Sequence, residues 1–369
     1  MSSEVQLTIL SPVHIGVSQE YFWQKNIDFF QDQEHIYVVK LDDVFKKFDL
    51  QARDIDKLVS DIGSGNLENF NHYLIKQRNL NLKDVAFQTF QFRGADIHEI
   101  RPMISSGQHE VMIPSSSLKG AIRTAFLRNQ ILKQPNFTAK RDHLGRDSSR
   151  KGFSFSDQQV QQNYIGKDPR TDPFRLLRFS DVYFQETSCH KMQIANRYRN
   201  GNWNWKKGQH TYIECITEGQ IGKGTLAIPN HLSKYLATQG NVKYTELMNP
   251  QKLCEMINQG TRELLEYELD FWERQGYAPD FIQDYLDELE RIAKHCEKGE
   301  CVLRVGGGVG WSFITGAWAR ESTTLDDDTW FDLKEGLRKK DYEDDVPYPK
   351  TRKLTHQNKP LGFIKMKIG

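Results

Sequence analysis

The 369-residue chain has no apolar run long enough to cross a bilayer, so nothing in it reads as a transmembrane helix. Met1-Ser2-Ser3-Glu4 is not followed by a basic and then an apolar stretch, so we expect no secretory leader and a cytoplasmic protein without membrane contact. Cysteine is scarce and odd in number. The five residues, at 189, 215, 254, 296 and 301, suit a reducing compartment better than a disulfide framework. His295, Cys296 and Cys301 cluster, and Cys189-His190 could complete a set, but the spacing is not that of a zinc site, and ordinary thiols and no metal are expected. A charge surplus is missing too. Lys and Arg number 50 against 49 Asp and Glu, so a polyanion surface has to be a local patch balanced by acid elsewhere.

Catalytic signatures are equally sparse. There is no GxSxG, no HExxH and no kinase set, and no Gly-Lys-Ser/Thr follows the glycine-rich run, which excludes a Walker loop. Asp326-Asp327-Asp328 and the acidic run 341–345 lack the spacing of a calcium loop. Neither a repeat of fixed period nor any cofactor motif is present. The apolar fraction of 38% is low, which predicts much loop surface or surface covered only by a partner. Aromatics at 11% argue against a disordered chain.

Alternation of polar and apolar residues predicts strands at Val5–Leu10, Ile36–Leu41, Val85–Phe92, Ile97–Ile104, Leu176–Gln185, Met192–Arg199, Tyr212–Thr217, Gln220–Ile228 and Phe363–Ile368. Helical spacing predicts Asp42–Phe48, Asp54–Gln77 interrupted at Gly63 and Gly65, Ser115–Lys133, and an acidic block over 249–298. The stretch 135–173 lacks a period and reads as a long functional loop, and the acidic segment 325–345 reads as a solvated loop. Strands interrupted by helices predict an α+β protein, with an RRM-like (ferredoxin-like) sheet as the natural candidate.

Three runs carry chemistry. In Ile113-Pro114-Ser115-Ser116-Ser117-Leu118-Lys119-Gly120-Ala121-Ile122-Arg123, the apolar Leu118 and Ile122 share one helical face and Lys119 and Arg123 another. Amides and hydroxyls of Ser115, Ser116 and Ser117 at a helix start, with two cations, suit a phosphate. They equally suit an ordinary capped helix with solvated Lys119 and Arg123. Because both cations lie off the apolar face, their removal is expected to spare the fold. In Leu303-Arg304-Val305-Gly306-Gly307-Gly308-Val309-Gly310-Trp311, glycines allow close backbone approach, Arg304 could meet a phosphate and Trp311 could stack on a base. A plain structural loop fits as well. Between Lys191 and Lys207, the basic Arg197 and Arg199 interleave with Tyr198, Trp203 and Trp205. That pattern suits single-stranded nucleic acid, or a charged hairpin with its tryptophans tucked beneath. His14, at a strand-to-turn junction, could act as general base on a ribose 2′-OH, but no partner acid is near in sequence, so a binding or structural role is expected.

These runs resemble the RAMP superfamily of CRISPR proteins, and within it the fifth-subunit branch of the type III-A Csm complexes. The resemblance spans Ser11-Pro12-Val13-His14-Ile15-Gly16, the Ile113–Arg123 run, Asp172-Pro173-Phe174-Arg175-Leu176-Leu177-Arg178-Phe179-Ser180-Asp181, the glycine loop, Pro349-Lys350-Thr351-Arg352 and Pro360-Leu361-Gly362-Phe363. Ser115 stands where the family often has glycine. The resemblance implies RAMP folds with helical insertions: an N-terminal RRM-like domain over 1–188 and a C-terminal RAMP-like domain over 189–369. It implies an RNA-binding subunit without a catalytic site, capping the backbone filament at the guide RNA 3′ end and assisting guide maturation. Guide RNA (crRNA) and the other Csm subunits, above all the backbone subunit, are the partners it implies, with target RNA and host nucleases as further candidates. The rival readings are a RAMP endoribonuclease using His14 or a loop acid such as Asp142 or Asp147, and an adaptor that touches protein only.

Overall fold

The computed structural model describes residues 2–18, 20–47, 49–66, 68, 72–74, 81–132, 158–167, 172–198, 200–229, 234, 245–275, 278–296, 299–313 and 349–369. In chain order come β1 (Ser2–Ile9), β2 (Trp23–Gln24), β3 (Phe29–Gln31), β4 (His35–Val39), α1 (Leu41–Lys47), α2 (Ala52–Gly63), β5 (Ala86–Gln91), β6 (Glu99–Arg101), β7 (Val111–Ile113), α3 (Ser115–Leu132) and α4 (Gln158–Ile165). Then follow β8 (Arg178–Phe179), β9 (Val182–Phe184), β10 (Thr187–Arg197), β11 (Trp203–Ile216), β12 (Ile221–Ala227), α5 (Pro250–Glu273), α6 (Asp280–Ala293), β13 (Glu300–Arg304), β14 (Thr351–Thr355) and β15 (Phe363–Ile368). No described helix is long and apolar enough to cross a membrane.

The first five-stranded sheet runs β13-β15-β1-β12-β8, with every neighbouring pair antiparallel. Within it, β1, α3, β8, β12, α5 and β15 make a βαββαβ unit whose last strand lies beside the first, followed by the third and then the second. This is the ferredoxin-like order, with β13 added outside. The alternation read in β1 explains the layering: Val5, Leu7 and Ile9 are buried, whereas Glu4, Gln6 and Thr8 face away. Leu118, Ile122, Ala125 and Phe126 of α3 and Leu253 and Ile257 of α5 close over the apolar face. The exposed part of the opposite face carries ion pairs, Lys223 with Glu4 at 3.4 Å and Lys365 with Glu300 at 2.8 Å. An RRM would carry stacking aromatics there.

The second sheet runs β14-β10-β11-β6-β2, with β6 parallel to β11. Gln193 pairs with His210 but Ala195 with Trp205, so residues 206–209 are extruded from β11. A second core gathers α6, the C-terminal half of α5 and this sheet around Trp203, Trp272, Tyr285 and Phe363. The expected boundary after 188 falls inside β10, and strands from both sides of it share both large sheets. Smaller sheets, β3-β4-β5 and β7-β9, complete the described strands.

Several elements differ from their sequence reading. The strand expected over 176–185 is split: Pro173–Leu176 is a 3-10 turn, and β8 and β9 pair with different sheets. The acidic block is two helices, because Pro279 stands at the N-cap of α6. The strand expected at 212 starts at Trp203, since its exposed polar half is held by pairing to β10 rather than by burial. Of the loop expected at 135–173, the described part contains helix α4, Gln158–Ile165, while 135–157, 168–171 and the whole of 325–345 lie outside the described residues.

Candidate nucleic-acid interface

Three turns far apart in sequence meet at the end of β1. The Gly307 N–H donates to the His14 carbonyl at 2.7 Å, Val305 to the Gly362 carbonyl at 2.8 Å, and Gly362 to the Pro12 carbonyl at 2.9 Å. Gly306, at φ +87°, has the His14 carbonyl so close that a Cβ would collide with it. Gly308, at φ +81°, would place a Cβ 2.6 Å from Leu361 Cδ1. The glycines therefore serve close approach, as the sequence suggested, but the neighbour is the chain's own backbone. The Gly307 amide is engaged internally rather than offered to a ligand. Gly306, Gly307 and Gly310 remain exposed.

His14 is buried, and its Nδ1 lies 2.7 Å from the Glu214 carbonyl. A carbonyl only accepts, which assigns the proton to Nδ1 and leaves Nε2 as the lone-pair nitrogen. Burial pushes its pKa down to about 4, with nearby Arg101 adding to the effect and the Glu214 hydrogen bond opposing it. From His14 a ribbon of backbone runs to α3. Ile104 donates to the Ile15 carbonyl at 2.7 Å, Met112 donates to the Ile104 carbonyl at 3.2 Å, and β7 leads directly into Pro114 and Ser115.

At the start of α3, the Ser115 amide donates to Asp181 Oδ1 at 2.7 Å, and the Ser117 amide to the Pro114 carbonyl at 3.0 Å. Ser116 is exposed. The acidic cap comes from the Asp172–Asp181 run and takes one amide that the sequence reading had offered to a phosphate. Arg123 is likewise committed. It pairs with Asp172, reaches Gln161 Oε1 at 3.3 Å, and lies 5.0 Å from the Phe174 ring centroid. It ties the 172–177 segment to α3, so its removal should cost stability, where the sequence reading expected both cations to be dispensable to the fold. Lys119 has a lowered pKa, from burial first and then from Arg178 and Arg123, against Asp172. Lys119 and exposed Arg178 are thus the cations closest to a phosphate role here.

The remaining sequence candidates separate. Arg304 donates to the Leu361 carbonyl at 2.8 Å and stacks 4.3 Å and 4.6 Å from the Phe313 and Phe363 rings, which makes it a framework arginine under the glycine loop. Trp311 opens a single 3-10 turn and is half-buried. Trp203 is buried 4.4 Å from Trp272, and Trp205 packs 4.5 Å from Phe281, so this pair of tryptophans lies beneath its hairpin. Arg197 is half-buried at the far end of β10, and Arg199 lies outside the described residues, as do Asp142 and Asp147. Among the described residues no three His, Cys, Asp or Glu side chains gather as metal ligands.

Sequence reading missed two buried carboxyl groups. Glu214 accepts from the Met103 amide at 2.8 Å, Gln88 at 2.7 Å and Thr187 at 3.0 Å, and so fixes the strand that holds His14. Glu268 pairs with Arg352, the Nη2 contact being 2.9 Å, and accepts from Trp272 Nε1 at 3.0 Å and Tyr285 Oη at 3.1 Å. Only the Glu–Lys–Arg richness of the sequence hinted at either, because pairing across 84 positions leaves no local pattern.

A ferredoxin-like sheet whose first strand ends in a turn clasped by a glycine-rich loop defines an α+β scaffold that displays backbone and cations along one ribbon. The chain belongs to the RAMP superfamily, to which residues 6–313 match. It is 24% identical over 286 residues to the "CRISPR system Cms protein Csm5" of Methanocaldococcus jannaschii, covering 73% of this chain and 63% of that protein. The chain thus spans less than two thirds of that relative's length. Its fold is similar to a chain of a "Csm-crRNA-target RNA ternary complex in type III-A CRISPR-Cas system", with TM-score 0.69, 19% identity and coverage of 99% and 100% of the two chains. It is also similar to Csm5 of T. onnurineus, with TM-score 0.57, 17% identity and coverage of 97% and 99%.

Proposed function

We propose that the chain is a non-catalytic, RNA-binding subunit of a type III-A CRISPR ribonucleoprotein, placed at the guide RNA 3′ end of the backbone filament and assisting guide maturation. The observation that carries the reading is the continuous ribbon from the Pro12–Gly16 turn and the glycine loop to the start of α3, with Lys119 and Arg178 beside it. Such a surface contacts the sugar-phosphate chain without reading bases, and guide pairing then supplies sequence. The likeness to chains of Csm assemblies supports the partners: guide RNA, target RNA, the backbone subunit and its neighbours. A non-catalytic role is supported by His14. Its Nδ1 is fixed on a carbonyl and its pKa sits at about 4, which makes it a weak base at neutral pH.

The test is titration of single-stranded RNAs of unrelated sequence at several salt concentrations, alongside a nuclease assay with and without divalent metal. Similar affinities that fall steeply with salt, and no cleavage, are expected. Metal-independent cleavage abolished by His14→Ala would replace this reading with the endoribonuclease. Absence of RNA binding would leave the protein-only adaptor.

A further inference from the structure

A cavity of about 290 Å³ lies beside the Ile15–Gly16 turn. Its rim is aromatic: Tyr21 and Phe87 are 48% and 40% exposed, and half-buried Trp23 joins them in the lining. Exposed rings grouped at one cavity, rather than scattered singly, are the kind of patch that marks an interaction site. His109 stacks on Phe87, with ring centroids 4.6 Å apart and planes 30° from parallel. His109 is held there by the 106–110 turn, in which its amide donates to the Ser106 carbonyl at 3.0 Å and its φ is 65°. The floor is Val39 and Met103, both buried. Lys40, Asp28 and Ser105 add charge and hydrogen-bonding groups to the lining.

The cavity is continuous with the ribbon. The sulfur of Met103, in its floor, accepts from the Ile15 amide at 2.9 Å, Gly16 bridges Met103, and Ser105 bridges Val111 on the way to α3.

We infer that this cavity receives one unpaired nucleobase of the bound RNA strand, an inference that rests on the RNA-binding reading above. A base presents a π-face and a polar edge. Tyr21, Trp23 and Phe87 supply rings for the face, while Asp28, Ser105 and His109 supply partners for the edge. Lys40 supplies a cation for the adjoining phosphate. Asp28 keeps one carboxylate oxygen on the Gln24 amide at 2.8 Å and Lys40 is exposed, so the polar part of the lining suits an occupant with a polar edge better than a purely apolar side chain. The volume sits at the lower end for small-ligand pockets, roughly 300–1,000 Å³, so it fits a single base and excludes a stacked run.

The experiment uses the full chain and one single-stranded RNA carrying an abasic nucleotide at successive positions, bound to wild type, Tyr21→Ala, Phe87→Ala and the conservative Phe87→Tyr. Both rings are exposed, so the alanine variants are expected to melt with wild type. Each is expected to weaken binding about 10-fold, in line with loss of one base–aromatic stack. Phe87→Tyr is expected to retain wild-type affinity. The abasic scan is expected to show one sensitive position in wild type that becomes insensitive in Phe87→Ala. If the alanine variants bind RNA as wild type does while Lys119→Ala weakens it, this inference falls and the RNA-binding reading stands. If RNA affinity is unchanged but the alanine variants no longer co-assemble with the other subunits, the cavity takes a protein side chain and the inference is overturned. If wild type binds no RNA, both fall together.

Discussion

Replacing Glu268 by Gln tests whether the buried charge cluster holds the glycine loop in place. Glu268 is 1% exposed and Arg352 7%, and the carboxylate meets Arg352 through both oxygens while accepting from Trp272 and Tyr285. Burial alone would raise the Glu268 carboxyl, but the charge and hydrogen bonds of Arg352 and the Trp272 N–H outweigh it and hold the group below 4.5. Arg304 shares the same charge cluster, and with Glu268, Tyr285, Arg352 and Gly308–Gly310 it lines a water-sized cavity of about 10 Å³. The Gln variant keeps the shape but leaves Arg352 and Arg304 without their anion. Breaking one side of a buried pair costs about 3–5 kcal/mol. At about 2 °C per kcal/mol for a large domain, the midpoint should fall by about 6–10 °C in a calorimetric scan. Replacing both partners, as Glu268→Leu with Arg352→Met, should recover part of that loss, because Arg352 is no longer a lone buried charge, although Arg304 still lacks the anion. Since the folded carboxyl lies below its unfolded value, its contribution is present above about pH 4.5 and is lost as pH falls through the folded value. The Gln variant should lack that arm of the acid-unfolding profile. A Gln variant melting within 1 °C of wild type, or a double variant as unstable as the single, would refute the reasoning.

Three further outcomes are expected. Gly306→Ala, which places a Cβ against the His14 carbonyl at a left-handed φ, should destabilise by about 2 kcal/mol or more in urea unfolding, while Gly310→Ala, facing open space, should lose only the backbone part of that cost. Lys119→Ala should weaken RNA binding about five-fold and flatten the salt slope by about one unit with an unchanged melt, whereas Arg123→Ala should also lower the melting temperature, since it loses Asp172 and the Phe174 ring. His14 and His190 are buried with pKa values lowered to about 4 against 6.5, so the unfolded chain binds more protons between these values and stability should fall as pH drops from about 6.5 to about 4. His14→Gln should remove part of that slope, as read by thermal melts across pH.

The sequence by itself determined the alternation that makes β1 one-sided, the apolar face of α3, and the turn residues at Pro12, Gly16 and 306–310, because each is a local choice with a period or a backbone requirement. It also determined the family, since those turn residues recur as motifs. Tertiary structure alone decided what the motifs touch. Gly306 and Gly307 meet the His14 carbonyl nearly three hundred positions away in sequence, Arg123 is neutralised by Asp172, and Trp203 is spent in the core against Trp272. Exposure and pairing of a charged or aromatic side chain depend on the elements packed over it. A basic-aromatic run therefore reads the same from sequence whether it faces an RNA or its own hydrophobic core. The aromatic cavity joins Tyr21 and Trp23, two positions apart, to Phe87 on β5 far along the chain, so only the folded chain could bring the Phe87 ring to the other two.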